Sequence, residues 1–138
     1  MSLHERGLAE PAFPDDDGLI DPRLAEALGD DVAVLAVYGD VRVFVPIVAI
    51  LGERATDGSD KSADMAAVFM TGADGRKALL TFSSVEALET WNPLARPVPV
   101  WGSEAAQAAL DEGASALLLD LGIDHFTVLE LQASADRR

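Results

Sequence analysis

The chain has no cysteine. That absence excludes disulfides, thiol catalysis and thiolate metal sites together. Histidine is nearly as scarce, with only His4 and His125. The two are far apart and offer no H-x-x-x-H or H-x-x-E metal spacing. Basic residues number 10 against 24 acidic ones. They do not cluster beyond Arg76-Lys77 and Arg137-Arg138, so the electrostatic footprint of a nucleic-acid binder is missing. No apolar run approaches the ~20 residues of a membrane span. The opening MSLHERGLAEP lacks the basic-then-apolar pattern of a secretory leader, so a cytoplasmic location is expected. The phosphate and nucleophile signatures G-x-G-x-x-G and G-x-S-x-G are also missing, and Gly72-Ala73-Asp74-Gly75-Arg76-Lys77 has the wrong spacing for a phosphate loop.

What is present suits one folded unit. The 138 residues are 49% hydrophobic and carry a net charge of −14, enough for a single core that hides roughly two thirds of the unfolded surface. The acidic surface keeps such a protein soluble and would complement a positively charged protein partner. Residues 1–20 are expected to form a flexible acidic tail around Pro11, Pro14 and Asp15-Asp16-Asp17-Gly18. The three aspartates lack the alternate spacing and closing glutamate of a calcium loop. A domain is expected over 21–131, with a C-terminal tail over 132–138.

Local signals divide that domain. Asp21 with Pro22 predicts the start of a helix that ends at Gly29, and a second short helix runs to Tyr38 with Val32 and Leu35 on its inner face. Val41–Leu51 (VRVFVPIVAIL) reads as a strand covered on both faces. Within it, Pro46 marks an edge or a bulge. Gly52–Ser62 reads as a loop. Asp64–Thr71 and Arg76–Phe82 predict two strands joined by an Asp-Gly hairpin. Ser83 and Glu86 match a capping box opening a helix that buries Val85, Leu88 and Trp91 and stops at Asn92-Pro93. Arg96–Val100 is an extended or edge segment. A last helix follows Gly102-Ser103, with Ala105, Ala106, Ala109 and Leu110 on one face. Ala116–Leu119 and His125–Leu131 finish as strands. The order predicts an α+β single domain: a mixed, mostly antiparallel sheet of about five to six strands with helices packed on it, preceded by one or two N-terminal helices.

Candidate functional residues are few. No catalytic set, metal site or cofactor motif is found. His125 beside Asp124 reads as a strand-edge imidazole, and Asp57, Asp60 and Asp64 as a solvated loop. Trp101 follows the Pro97/Pro99 segment. An exposed tryptophan beside an unpaired edge strand is a docking feature for a peptide or protein.

VRVFVPIVAIL, then KSADMAAVFMTGADGRKALLTFSSVEALETWNPLARPVPV, then the following helix and ALLLD, resemble the SseB N-terminal domain family in its actinobacterial form. The resemblance runs from Val41 to Leu131. It brings no established catalytic residues. It does direct attention to Lys61-Ser62-Ala63-Asp64 before one strand and Arg96-Pro97-Val98-Pro99 after the helix. Two functional expectations follow. The first is a non-enzymatic protein-binding or adaptor module with Lys61, Asp64, Arg96, Pro97, Pro99 and Trp101 as candidate ligand- or partner-binding residues. The second is a small-molecule sensor or enzyme with a pocket near Lys61, Asp64 and Arg96. Small size and acidity would also suit a secretion chaperone. Oligomeric state is not legible.

Overall fold

The structure is a computed structural model that describes residue 13 and residues 15–50, 64–122 and 126–131. Lys61, His4, His125, Asp57 and Asp60 lie outside the described residues. So do the C-terminal tail and the whole of the Gly52–Ser62 loop. Helices α1 (Pro22–Ala27) and α2 (Asp31–Tyr38) come first, followed by strands β1 (Arg42–Ile50), β2 (Asp64–Ala67), β3 (Phe69–Thr71) and β4 (Lys77–Thr81). Then come α3 (Val85–Trp91), β5 (Arg96–Trp101), α4 (Gly102–Asp111), β6 (Ala116–Leu119) and β7 (Thr127–Glu130).

The α+β class holds, but the single expected sheet is two. The first has the order β2-β1-β5, and the second β3-β4-β6-β7. Every pairing is antiparallel except β4 with β6. The predicted strand Asp64–Thr71 passes from one sheet to the other and breaks at Val68, whose carbonyl accepts from Leu80 N–H at 3.0 Å. A second link is the Phe44–Phe82 bridge, where the two residues exchange both backbone hydrogen bonds, at 2.7 and 2.8 Å.

That bridge explains Pro46, which was expected at an edge or bulge and instead lies in the central strand of the first sheet, opposite Pro97. Phe44 N–H points away from β5, so the Pro46 nitrogen of the same parity does too. It falls in the gap where β1 changes neighbour from β4 to β2, whose ladder stops at Ile47–Ala67. No donor is needed there.

Alternation on the strands feeds two cores. Val43 and Val45 on β1, with Leu79, Leu117 and Leu129, pack against α1, α2 and α4. On the opposite face Phe44, Leu80 and Phe82 pack against Ala87 and Leu88 of α3, with Trp91 half-buried beside them. The two-sided burial read from VRVFVPIVAIL is therefore present over the first half of β1, residues 42–46.

Two local expectations are corrected. The buried face of α2 is Val34 and Tyr38, whereas Val32 and Leu35 are exposed. The helix is apolar all round, so its own pattern does not choose a face. The choice is made by Tyr38, whose hydroxyl donates to Thr81 Oγ1 at 2.9 Å inside the core. The cap of α3 is Ser84, which accepts from Ala87 N–H at 3.1 Å. Ser83 is buried and engaged elsewhere. The other predicted boundaries lie within two or three residues of the observed ones, including Asp21 at the start of α1, where its side chain accepts from Arg23 N–H.

Candidate functional site

Arg42 opens β1 on the face shared with Phe44, and its guanidinium stands 4.3 Å from that ring. Its side chain is only 9% exposed, and a charge so placed needs partners on every donor. Nε meets Asp16 Oδ2 at 2.8 Å and Nη2 donates to Asp16 Oδ1 at 3.1 Å, a two-point grip on one carboxylate. Nη1 donates to the Ser83 carbonyl at 3.0 Å, and Nη2 also to the Leu19 carbonyl. Asp16 additionally accepts from Gly18 N–H at 2.9 Å, and the Gly18 carbonyl accepts from Val85 N–H at 2.9 Å. Phe13 packs on Trp101 with the rings tilted at 59° and their centroids 4.8 Å apart. Residues 15–20, read from sequence as part of a solvated tail, therefore form a strap across β1 and the start of α3. Asp15 and Asp17 remain exposed.

Beside this strap lies a cleft of about 510 Å³, walled by Phe13, Leu19 and Trp101, floored by Arg42 and rimmed by Asp15 and Asp17. Trp101 is 40% exposed. It is positioned by Gly102, the buried first residue of α4. A Cβ there would stand 1.8 Å from the Tyr38 carbonyl oxygen, so only glycine lets α4 begin against the end of α2. The outer edge of β5 next to Trp101 offers no free amide. Pro97 and Pro99 face outward without an N–H, and Trp101 N–H donates to Glu104 Oε1 at 3.0 Å. Strand addition along that edge would find acceptors but no donors.

A second junction ties the ends of β4 and β6. Asp120 is fully buried with a left-handed backbone (φ 62). Its Oδ1 accepts from Ser83 N–H at 2.8 Å and its Oδ2 from Ser83 Oγ–H at 2.7 Å. Deeper on the same strand pair, Thr81 Oγ1 accepts from the Tyr38 hydroxyl and donates to the Leu118 carbonyl at 2.8 Å. Burial pushes the Tyr38 phenol well above its ordinary range. Over this junction opens a cleft of about 370 Å³ between α1 and α3. Asp21, which caps α1 and lines the Trp101 cleft, is held below the usual carboxylate range, first by its hydrogen bond to Arg23 and against a burial penalty.

Of the sequence-predicted residues that the structure describes, Trp101 lines one of these clefts and Asp64, Arg96, Pro97 and Pro99 line neither. Asp64 pairs in β2 with Ile50, while Arg96 begins β5 opposite Ile47 on the other side of β1. Arg96 is exposed and stands at the far end of β5 from Trp101. Pro97 is half-buried and Pro99 exposed. Sequence reasoning passed over Arg42, Asp16, Ser83 and Asp120. One signal was available: Arg42 is the only charge in an apolar run predicted to be covered on both faces, so it required a buried partner. Among the described residues no group of three or more histidine, cysteine, aspartate or glutamate side chains could hold a metal ion, and no helix is long and apolar enough to cross a membrane.

Among known families, the model of the SseB protein N-terminal domain matches residues 23–133. No curated protein and no solved structure matches the chain.

Proposed function

The chain belongs to the SseB N-terminal domain family, and from that premise we propose that it is a non-enzymatic protein-binding module whose docking site is the cleft beside Trp101. The observation that carries this reading is an exposed indole beside surface carboxylates that form no ion pair among the described residues: Trp101 and Leu19 are 40% and 61% exposed, and Asp15 and Asp17 stand on the rim. Aromatic surface supplies contact area, and the carboxylates select for charge. The partner segment this favours is basic, with an aliphatic or aromatic residue to lie on Trp101. Recognition is by side chains, because the proline-marked edge of β5 withholds backbone donors.

The test uses tryptophan emission in a Trp91→Phe background, so that Trp101 alone reports. A lysine-rich amphipathic peptide is expected to shift that emission saturably, with affinity falling as salt rises. An acidic peptide of the same length is expected to do nothing. A charged surface of −14 attracts any polycation, so the deciding variant is Trp101→Ala with every carboxylate intact, followed by calorimetry. Undiminished affinity in that variant would discard the cleft as the docking site.

A further inference from the structure

We propose that β7 is a self-association edge, along which two copies of the chain join antiparallel and extend the four-stranded sheet across a two-fold axis. This surface is separate from the docking site beside Trp101. β7 ends its sheet, with β6 on one side and no strand on the other among the described residues. Leu131 N–H donates to the Ser115 carbonyl at 2.9 Å, so residues of its parity turn their backbone groups toward β6. Val128 and Glu130 turn theirs outward. Natural sheet edges carry proline, lysine or a bulge against such pairing. β5 follows that rule with Pro97 and Pro99, whereas Thr127–Glu130 has neither proline nor lysine. The only charge on β7, Glu130, is already held by Arg76 of the same chain.

Apolar surface flanks that edge on both faces of the sheet. On one face Phe126 and Val128 are 43% and 42% exposed. On the other, α2 lies across the strands. Its last residue, Tyr38, bonds to Thr81 of β4, and the helix also packs on β7, with β6 in between. Its earlier turns therefore lie over the β7 end, and they carry Val32 and Leu35, 78% and 56% exposed. A helix apolar all round is normally covered all round, and its own chain covers this one on a single side. The four side chains expose roughly 400 Å² on each protomer, about half of the ~800 Å² per partner in a stable interface and close to its usual apolar share. A second copy is the occupant these features select, because it brings the same open strand and the same two apolar flanks at once. A two-fold axis through Val128 sets that residue against its own copy. It also puts phenylalanine rather than a second glutamate opposite Glu130, which avoids a like-charge pair.

The experiment is sedimentation velocity of the full chain between ~1 and ~500 µM, a range that reaches weak dimers. A reversible monomer–dimer transition is expected. Each copy carries −14, so salt should tighten the dimer, opposite in sign to the peptide binding beside Trp101. Val128→Pro deletes an outward N–H at an exposed position and is expected to raise the dissociation constant at least about tenfold. Leu35→Lys lies outside the strand and is expected to weaken the dimer as strongly, which keeps the test if proline disturbs β7. Circular dichroism should be native in both. The chain has no cysteine, so Val128→Cys reads the geometry directly. Paired Cα atoms would stand about 5.5 Å apart, within disulfide reach, and mild oxidation should give a covalent dimer. Leu94→Cys, in the exposed turn between α3 and β5, should cross-link far more slowly. Three results would overturn the proposal: a wild type that stays monomeric throughout, which would leave the edge to a strand from a different protein; an undiminished dimer in either folded substitution; or equal cross-linking at the two cysteines.

Discussion

The two clefts share a wall, since Ile20 of the strap borders both, yet they are built on different footings. The strand-end cleft rests on Ser83–Asp120, a junction between two core strands separated by 37 residues of chain. The Trp101 cleft rests on Arg42–Asp16, which fastens a peripheral segment to a core strand. Both junctions are polar contacts made with two hydrogen bonds to one carboxylate, the first buried and the second part-buried. Such a contact is global or local according to what it joins. Breaking the first should lower the stability of the whole domain, whereas breaking the second should free a strap that can swing into water.

Asp120→Ala is the largest expected effect. It removes the acceptor of a buried backbone N–H, which costs about 1–3 kcal/mol. It also puts alanine, which lacks aspartate's local hydrogen bonding, in the left-handed backbone at φ 62, which costs up to about 1–2 kcal/mol more. Equilibrium denaturation should show a loss of about 2–5 kcal/mol in one cooperative transition. Asp120→Asn, which tolerates the left-handed backbone, should recover part of it. A loss under 1 kcal/mol would mean that the junction is not a core tie.

Arg42→Met tests the other footing. Methionine keeps the aliphatic contact with Phe44, and Asp16 can turn outward. The global loss should therefore stay near 1–2 kcal/mol, below the 3–5 expected when the stranded partner cannot escape. Hydrogen exchange carries the sharper readout. The Val85 amide, which donates to Gly18, should lose protection at least about tenfold through local opening, while Leu80 in the core should not. Equal losses at both amides would erase the distinction between the two clefts.

These footings explain what the sequence could and could not show. Period-two alternation and Gly, Pro and Asp punctuation located nearly every element, because those signals act within a few residues. The hairpin at Asp74-Gly75 and the two-faced β4 are examples. The face of α2 was misread because an all-apolar helix leaves the decision to Tyr38 and its partner in β4. The Ser83 cap was misread for a similar reason: either serine could cap α3, and Asp120 claims the first. Both clefts depend on pairings across dozens of residues, Asp16 with Arg42 and Ser83 with Asp120. No local pattern encodes them. Only the isolated charge of Arg42 betrayed one.

The core side can be probed more gently at Tyr38, which reaches from α2 to Thr81, one step deeper on the same strand pair. Tyr38→Phe breaks its bond to Thr81 and should cost about 1 kcal/mol at neutral pH. Its pH dependence is more specific. The folded-state pKa is raised above the ordinary value of 10.0 by burial, so the stabilisation is fully present below that value and is lost as pH rises toward the folded pKa. Wild-type stability should fall by up to ~1.4 kcal/mol per pH unit above about pH 10. The Phe variant should lack that component, so the gap between the two proteins should narrow in alkali. Parallel curves would show that the phenol is not buried as described.

Asp21 is the smallest test and stands on the border between the clefts, since it lines the Trp101 cleft and caps the helix that walls the other. Asp21→Asn preserves a capping side chain and deletes only the charge beside Arg23. At pH 7 the loss should be under about 0.5 kcal/mol, because Arg23 is well exposed and the pair is screened. The folded pKa of Asp21 lies below its ordinary value of 3.8, so its contribution is present above that value and disappears as pH falls through the folded pKa. The wild type should thus be slightly more stable at neutral pH and indistinguishable from the variant in strong acid. If the charge also holds α1 in place, peptide binding beside Trp101 should weaken in the variant. If that cleft is held by its own junction, binding should not change. The second outcome is expected, since α1 is anchored by Leu24 and Ala27 in the core rather than by the charge at its start.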